Sequence, residues 1–298
     1  MRRKIIIDCD PGIDDAVALM LACASPEELE ILAVTAVAGN VALGHTAANA
    51  RRVLEACDRG DVPVYAGCPR PLLRPPVTAD RIHGETGIDG SGLPPPTRPL
   101  ADGHAVDLLR DTVRNAPGEV TVVAVGPLTN LAAVLVQRPE FAAEAREIVV
   151  MGGSAGPGNV TPHAEFNFHA DPHAARIVFE SGASLAMYGL NITHQVRVDD
   201  QVLGRIAALR SPPARAAAGM LERYRDSGGA LHDVLAVGHL LRPDCFGLEA
   251  ALVTIDTSET GRIGRSIVER GSGTNARVGF DAAAGEFLDF LLERLARY

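Results

Sequence analysis

The sequence predicts an α/β protein with a mostly parallel, open, Rossmann-like central sheet and helices on both faces. Three observations carry this. Short segments that are apolar throughout alternate with segments of helical period, which is the mark of strands buried on both sides. Gly and Asp punctuation follows the strands repeatedly, at Asp8 and Asp10, Gly39-Asn40, Gly126 and Gly152-Gly153. Aromatics are 4% and Trp is absent, so the core has to be aliphatic. At 298 residues the chain is read as one domain, 1–298, long enough to hold a deep pocket.

The elements follow in order. Lys4–Asp10 is an apolar run ending in acid, Pro11-Gly12 turns the chain, and Asp14–Ala24 reads as a helix. Leu29–Gly39 is a strand, Leu43–Cys57 a helix and Val62–Ala66 a short strand. The Pro- and Gly-rich stretch Pro69–Pro99 reads as a long loop, and long loops in compact domains often bind or cover ligands. Helix His104–Asn115, strand Val120–Val125, helix Leu128–Gln137, strand Ile148–Met151, helix Pro172–Ser181 and strand Leu185–Leu190 continue the alternation. The last third is more helical, with Val202–Leu209, Ala214–Tyr224, Val234–Leu241 and Phe287–Leu295 around a late β pair, Ala250–Ile255 and Arg265–Glu269. Ligands of such sheets bind at the carboxyl ends of the strands, where the punctuation falls.

Composition limits the function. Net charge is −9, which argues against nucleic acid, whose phosphates demand Lys and Arg. The five cysteines are scattered and form no CxxC pair, as expected of reduced thiols in a cytoplasmic protein. The apolar run Ile5–Ile7 is too short for a signal peptide, and no run approaches a membrane span.

Asp8-Cys9-Asp10-Pro11-Gly12-Ile13-Asp14-Asp15 is the most informative segment. An isolated Asp-Asp pair usually only caps a helix. Four carboxylates directly after a buried strand are another matter, because they repel one another and resist desolvation. A hard cation with oxygen ligands resolves the conflict, and Ca²⁺ suits it.

This segment resembles the N-terminal signature of the inosine–uridine preferring nucleoside hydrolases. Further matches follow in the family's order: Gly39-Asn40-Val41, Ile82-His83-Gly84, Val125-Gly126-Pro127-Leu128-Thr129-Asn130, Met151-Gly152-Gly153, Asn159, Ala164-Glu165-Phe166-Asn167 and Leu231-His232-Asp233. The likeness covers residues 4 to about 245. It implies hydrolysis of the N-glycosidic bond of purine or pyrimidine ribonucleosides by a Ca²⁺-bound water that Asp10 activates. The implied metal ligands are Asp10, Asp15, Asp233 and the carbonyl of Val125, where the family often has Thr. The implied ribose contacts are Asp14, Asn159, Glu165 and Asn167, with Asn40 supporting the water or the ribose and Met151 in the same pocket. His83 and His232 match base-side positions, His232 as the candidate proton donor. Phe166 and Tyr224 are candidates for packing against the base. A homodimer or homotetramer acting in nucleoside salvage is likewise implied by the family alone.

Two rivals stand beside this reading. A haloacid-dehalogenase-like phosphatase also has DxD after its first strand, but it needs a later lysine, and Lys4 is the only lysine in the chain. A nucleoside-binding protein without catalysis would not need the water-activating carboxylate, which is intact at Asp10.

Overall fold

The computed structural model describes residues 2–271 and 273–298. Its nine strands are β1 (Arg3–Cys9), β2 (Leu29–Ala36), β3 (Val64–Ala66), β4 (Val120–Ala124), β5 (Glu147–Met151), β6 (Leu185–Tyr188), β7 (Phe246–Ile255), β8 (Ser266–Arg270) and β9 (Ala276–Ala282). They form one sheet in the order β3-β2-β1-β4-β5-β6-β9-β7-β8. The pairings from β3 to β9 are parallel, while β7 runs antiparallel to both β9 and β8. The first six positions give the doubly wound order, in which the chain reverses its direction of winding between β1 and β4.

Side chains alternate across β1 and divide the core. Ile5, Ile7 and Cys9 pack with the helices Ile13–Cys23, Leu43–Ala56, Pro212–Arg225, Asp233–Leu241 and Ala284–Leu295 on one face. Ile6 packs with Ala105–Asn115, Thr129–Gln137 and Pro172–Phe179 on the other. Covering both faces forces the strands to be apolar throughout, as the sequence pattern predicts.

Most boundaries differ from the sequence reading by a few residues. β2 stops at Ala36 rather than Gly39, because the chain leaves the sheet there to form a polar turn around Asp10. The last third is helical up to Leu241 and again over Ala284–Leu295, as the sequence pattern predicts; three of its elements are strands, and the sequence reading lacks β9. β9 carries Arg277 and Asp281 and lies between β6 and the expected β pair. The long loop holds one short helix, Asp80–His83. Among the described residues no helix is long and apolar enough to cross a membrane.

Candidate active site

The pocket opens beyond the carboxyl ends of β1 and β4, where the winding reverses, and encloses about 220 Å³. Its floor is built from the turn after β1. Asp15 sits in the first turn of the helix Ile13–Cys23 and folds back, its Oδ1 accepting from the Asp10 N–H (3.1 Å) and its Oδ2 from the Gly12 N–H (3.0 Å). A carboxylate here satisfies amides that a helix start leaves unpaired. Asn40, in the turn after β2, gives its backbone N–H to Asp10 Oδ2 (2.6 Å) and its side-chain amide to the Asp10 carbonyl and Asp15 Oδ2 (3.1 Å each).

Gly39 and Gly126 explain the punctuation after β2 and β4. A Cβ at Gly39 would stand 2.1 Å from Asp10 Oδ2, and one at Gly126 would stand 2.6 Å from Oδ1. The Asp10 carboxylate is therefore held between two backbones that no side chain could replace.

The acids are crowded. Asp14, Asp15 and Asp233 offer oxygens within 4.8 Å of one another, and all are buried. Burial, then Asp15 and Asp14, pushes Asp10 well above the usual carboxylate range. Asp14 rises to about 8 through burial and then Asp15, while Asp233 rises through burial and then Asp14, Asp15 and Asp10. Asp10 Oδ1 is buried without a hydrogen-bond partner among the described residues. Buried carboxylates in this arrangement need protons or a cation. The donor set is all oxygen, which fits a hard divalent ion.

Asp8 stands apart from this cluster. Its Oδ1 accepts from Thr35 (2.5 Å) and Asn130 (2.8 Å), so it ties β1 to β2 and to the helix Thr129–Gln137 beneath the pocket.

The residues expected to hold the ribose converge on one wall of the pocket, though several are committed to protein partners. Asn167 donates to the carbonyls of Val125 (2.9 Å) and Met151 (3.2 Å), at the ends of β4 and β5. A carbonyl has two lone pairs, so this leaves one on Val125. Glu165 caps the helix Phe166–Ala170: Oε1 accepts from Asn167 N–H (2.8 Å), and Oε2 accepts from the N–H groups of Gly153 (2.8 Å) and Phe168 (3.1 Å). Burial lifts Glu165 to about 7 against these bonds. Asn159 lines the pocket from an exposed loop, and Phe166 lines it half-buried.

The opposite wall is aromatic and imidazole-rich. His83, 6% exposed, accepts the Ile13 N–H at Nδ1 (3.1 Å), and desolvation lowers it to about 4. Its ring lies 5.7 Å from that of Tyr224, whose hydroxyl reaches Asp14 Oδ2 at 3.5 Å. His232 directly precedes the helix Asp233–Leu241 and is lowered to about 3 by burial, then by His194 and His83. Its Nδ1 lies 2.7 Å from the Thr193 hydroxyl.

All fourteen residues expected in the site are thus drawn to one sheet edge, with Asp10 and Asp15 beneath the lining. His194, Arg197 and Ser227 also line the pocket and were not anticipated. They are ordinary exposed residues, and only the neighbouring pair Thr193-His194 after an apolar strand hinted at them.

The model of the inosine-uridine preferring nucleoside hydrolases matches residues 5–289. The chain belongs to this family. The ribonucleoside hydrolase is similar to a protein of Shewanella sp. (strain MR-4) named pyrimidine-specific ribonucleoside hydrolase RihA, with 43% identity covering 100% of this chain and 98% of that one. Its fold matches a plant nucleoside hydrolase, PpNRh1, with TM-score 0.92 and 32% identity over 99% of both chains. It also matches a purine-preferring ribonucleoside hydrolase from Gardnerella vaginalis, with TM-score 0.92 and 30% identity over 99% of this chain and 98% of that one.

Proposed function

We propose that this hydrolase cleaves ribonucleosides, pyrimidine nucleosides foremost, using Ca²⁺ held by Asp10, Asp15, Asp233 and the Val125 carbonyl. The observation that carries the metal reading is the unpartnered Asp10 Oδ1 within a group of buried, mutually repelling carboxylates. The name of the 43% identical relative supports the pyrimidine preference. When bound, the ion would lower the pKa of water and offer open positions to ribose hydroxyls.

The protein groups do the rest. Asp10 takes a proton from the attacking water as its oxygen bonds to C1′. The C1′–N bond breaks, and its electron pair leaves with the base. Asp14 accepts a hydrogen bond from the 2′-hydroxyl, and Asn40 holds Asp10 and Asp15 in register for attack. Asn159, Glu165 and Asn167 clamp the 3′ and 5′ side, holding the sugar by contacts away from the reacting bond. Met151 and Phe166 complete that wall. His232 serves the departing base, with His83 and Tyr224 packing beside it. The whole chain acts as one catalytic domain, cytoplasmic and dimeric or tetrameric in this reading.

A ribose-release assay over a panel of nucleosides, with and without a calcium-selective chelator, tests it. Free ribose from uridine, lost on chelation and restored by Ca²⁺, is expected. Bound but intact nucleoside, or turnover indifferent to chelation, would overturn it.

A further inference from the structure

The ring of His232 is gripped from behind. Thr193 closes the short helix Leu190–Thr193 that follows β6, and its side chain is fully buried. Among the described residues, its hydroxyl has one hydrogen-bond partner, His232 Nδ1 at 2.7 Å.

Two arrangements satisfy that contact. In one, Nδ1–H donates to the threonine oxygen, and the hydroxyl proton is then buried with no acceptor. In the other, the hydroxyl donates to Nδ1, and nothing is left unpaired. Leaving a buried donor unmade costs its full desolvation, so the second arrangement prevails. A neutral imidazole carries one N–H, so an accepting Nδ1 puts the proton on Nε2.

His83 shows the same outcome by a different device. Its Nδ1 accepts from the Ile13 backbone N–H, which can only donate, so the tautomer there has no alternative. Both imidazoles lining the base side thus spend Nδ1 on the scaffold and keep Nε2–H for the cavity.

We propose that Thr193 is a positioning residue for bond cleavage: its hydroxyl locks His232 as the Nε2–H tautomer and aims that donor at the departing base. This rests on the assignment of His232 to the leaving-base side. As the C1′–N bond breaks, negative charge spreads over the ring nitrogen and neighbouring carbonyl oxygen of a pyrimidine. A fixed donor stabilises that charge more than it stabilises the intact nucleoside, so it acts on kcat.

The test compares Thr193→Val, which keeps the branched shape and removes the hydroxyl, with Thr193→Ser, which keeps the hydroxyl. Substrates are uridine and p-nitrophenyl riboside, whose leaving group needs little help. Thr193→Val should lower kcat on uridine about 10-fold or more, with KM within about twofold and p-nitrophenyl riboside nearly unaffected. Thr193→Ser should recover most of the loss. Long-range ¹⁵N–¹H spectra of the imidazoles should show the wild-type His232 protonated at Nε2, and a tautomer mixture in Thr193→Val.

Unchanged uridine turnover in Thr193→Val, equal losses on both substrates, or a wild-type His232 protonated at Nδ1 would each overturn the proposal. The wild-type spectrum decides the tautomer even if the valine variant does not fold. A wild-type enzyme that cleaves no ribonucleoside would overturn the hydrolytic reading and the leaving-base role with it, while the spectra still answer for the threonine.

Discussion

The two ends of the pocket are built on different principles. At the acidic end, Asp10 and Asp15 are fastened by backbone amides and by Asn40, and glycines at 39 and 126 let the main chain close on the carboxylate. At the other end, single hydrogen bonds with the Ile13 N–H and the Thr193 hydroxyl hold two imidazoles, and exposed His194 and Arg197 complete the rim. The acidic end stores repulsion, with all its carboxyls pushed up by burial. The base end holds neutral rings. The first thus has the fixed geometry that the proposed ion needs, and the second has the looser hold that suits the proposed contact with a base.

The largest effect should come from breaking the acidic end. In the proposed mechanism Asp10→Asn removes the general base and a charged ligand together, and the lost base alone is worth about 10²- to 10⁴-fold in rate. Steady-state kinetics on uridine should show that loss in kcat, and near-normal kcat would refute the role of Asp10.

Next comes the base end. His232→Ala should slow uridine cleavage by about 10²-fold or more while sparing p-nitrophenyl riboside. Equal losses would assign His232 to the support of Asp233 instead.

The ribose clamp should separate its two asparagines. Asn159→Ala should lower kcat/KM about 10-fold and leave the melting temperature alone, because the residue is exposed. Asn167→Ala should lower both, because its amide also joins the ends of β4 and β5. Similar melting temperatures for the two variants would contradict that distinction.

The smallest effect is on stability and depends on pH. Asp14 and Glu165 titrate at about 8 and about 7 in the folded, metal-free chain, raised first by burial. Unfolded carboxyls titrate near about 4. The folded chain therefore binds more protons than the unfolded chain between about pH 4 and 8, and its stability falls as pH rises through that window. A cation held by the proposed ligands would favour the ionised form of the neighbouring Asp14, so its binding strengthens as pH rises. The melting-temperature gap between Ca²⁺-loaded and chelated protein should widen by several degrees from about pH 5 to about pH 8. A gap that stays constant would mean that these carboxyls are not neutral in the chelated protein.

The same contrast explains what could be read from the sequence. The acidic end lies largely in one contiguous segment, and clustered carboxylates after a buried strand carry their own physical signal. Asp233 comes from far along the chain, and only the family likeness joined it to Asp10. The parallel strands were legible because burial on both faces leaves no polar alternation. β9 was not, because Arg277, Gly279 and Asp281 dilute its apolar pattern. The helices Asp80–His83 and Leu190–Thr193 are too short to show a period. Thr193 illustrates the limit: one threonine has no pattern, and its meaning lies wholly in the ring 2.7 Å away.

The strand order has a consequence for how the molecule is made. Chains emerge N-terminus first at about 5–20 residues per second. β1 and its acids emerge before their partners: β1 pairs with β4, and the cluster waits for Asp233. β9, made after both of its neighbours, is the strand that joins β7 and β8 to the parallel part of the sheet at β6. Such long-range pairings are slow to form. Until residue 233 has been added, the nascent chain carries Asp10, Asp14 and Asp15 without their final partner. Under the proposed metal reading, ion capture then has to wait for Asp233, and a ribosome stalled before residue 233 would display the acidic segment without the fourth carboxylate that completes it.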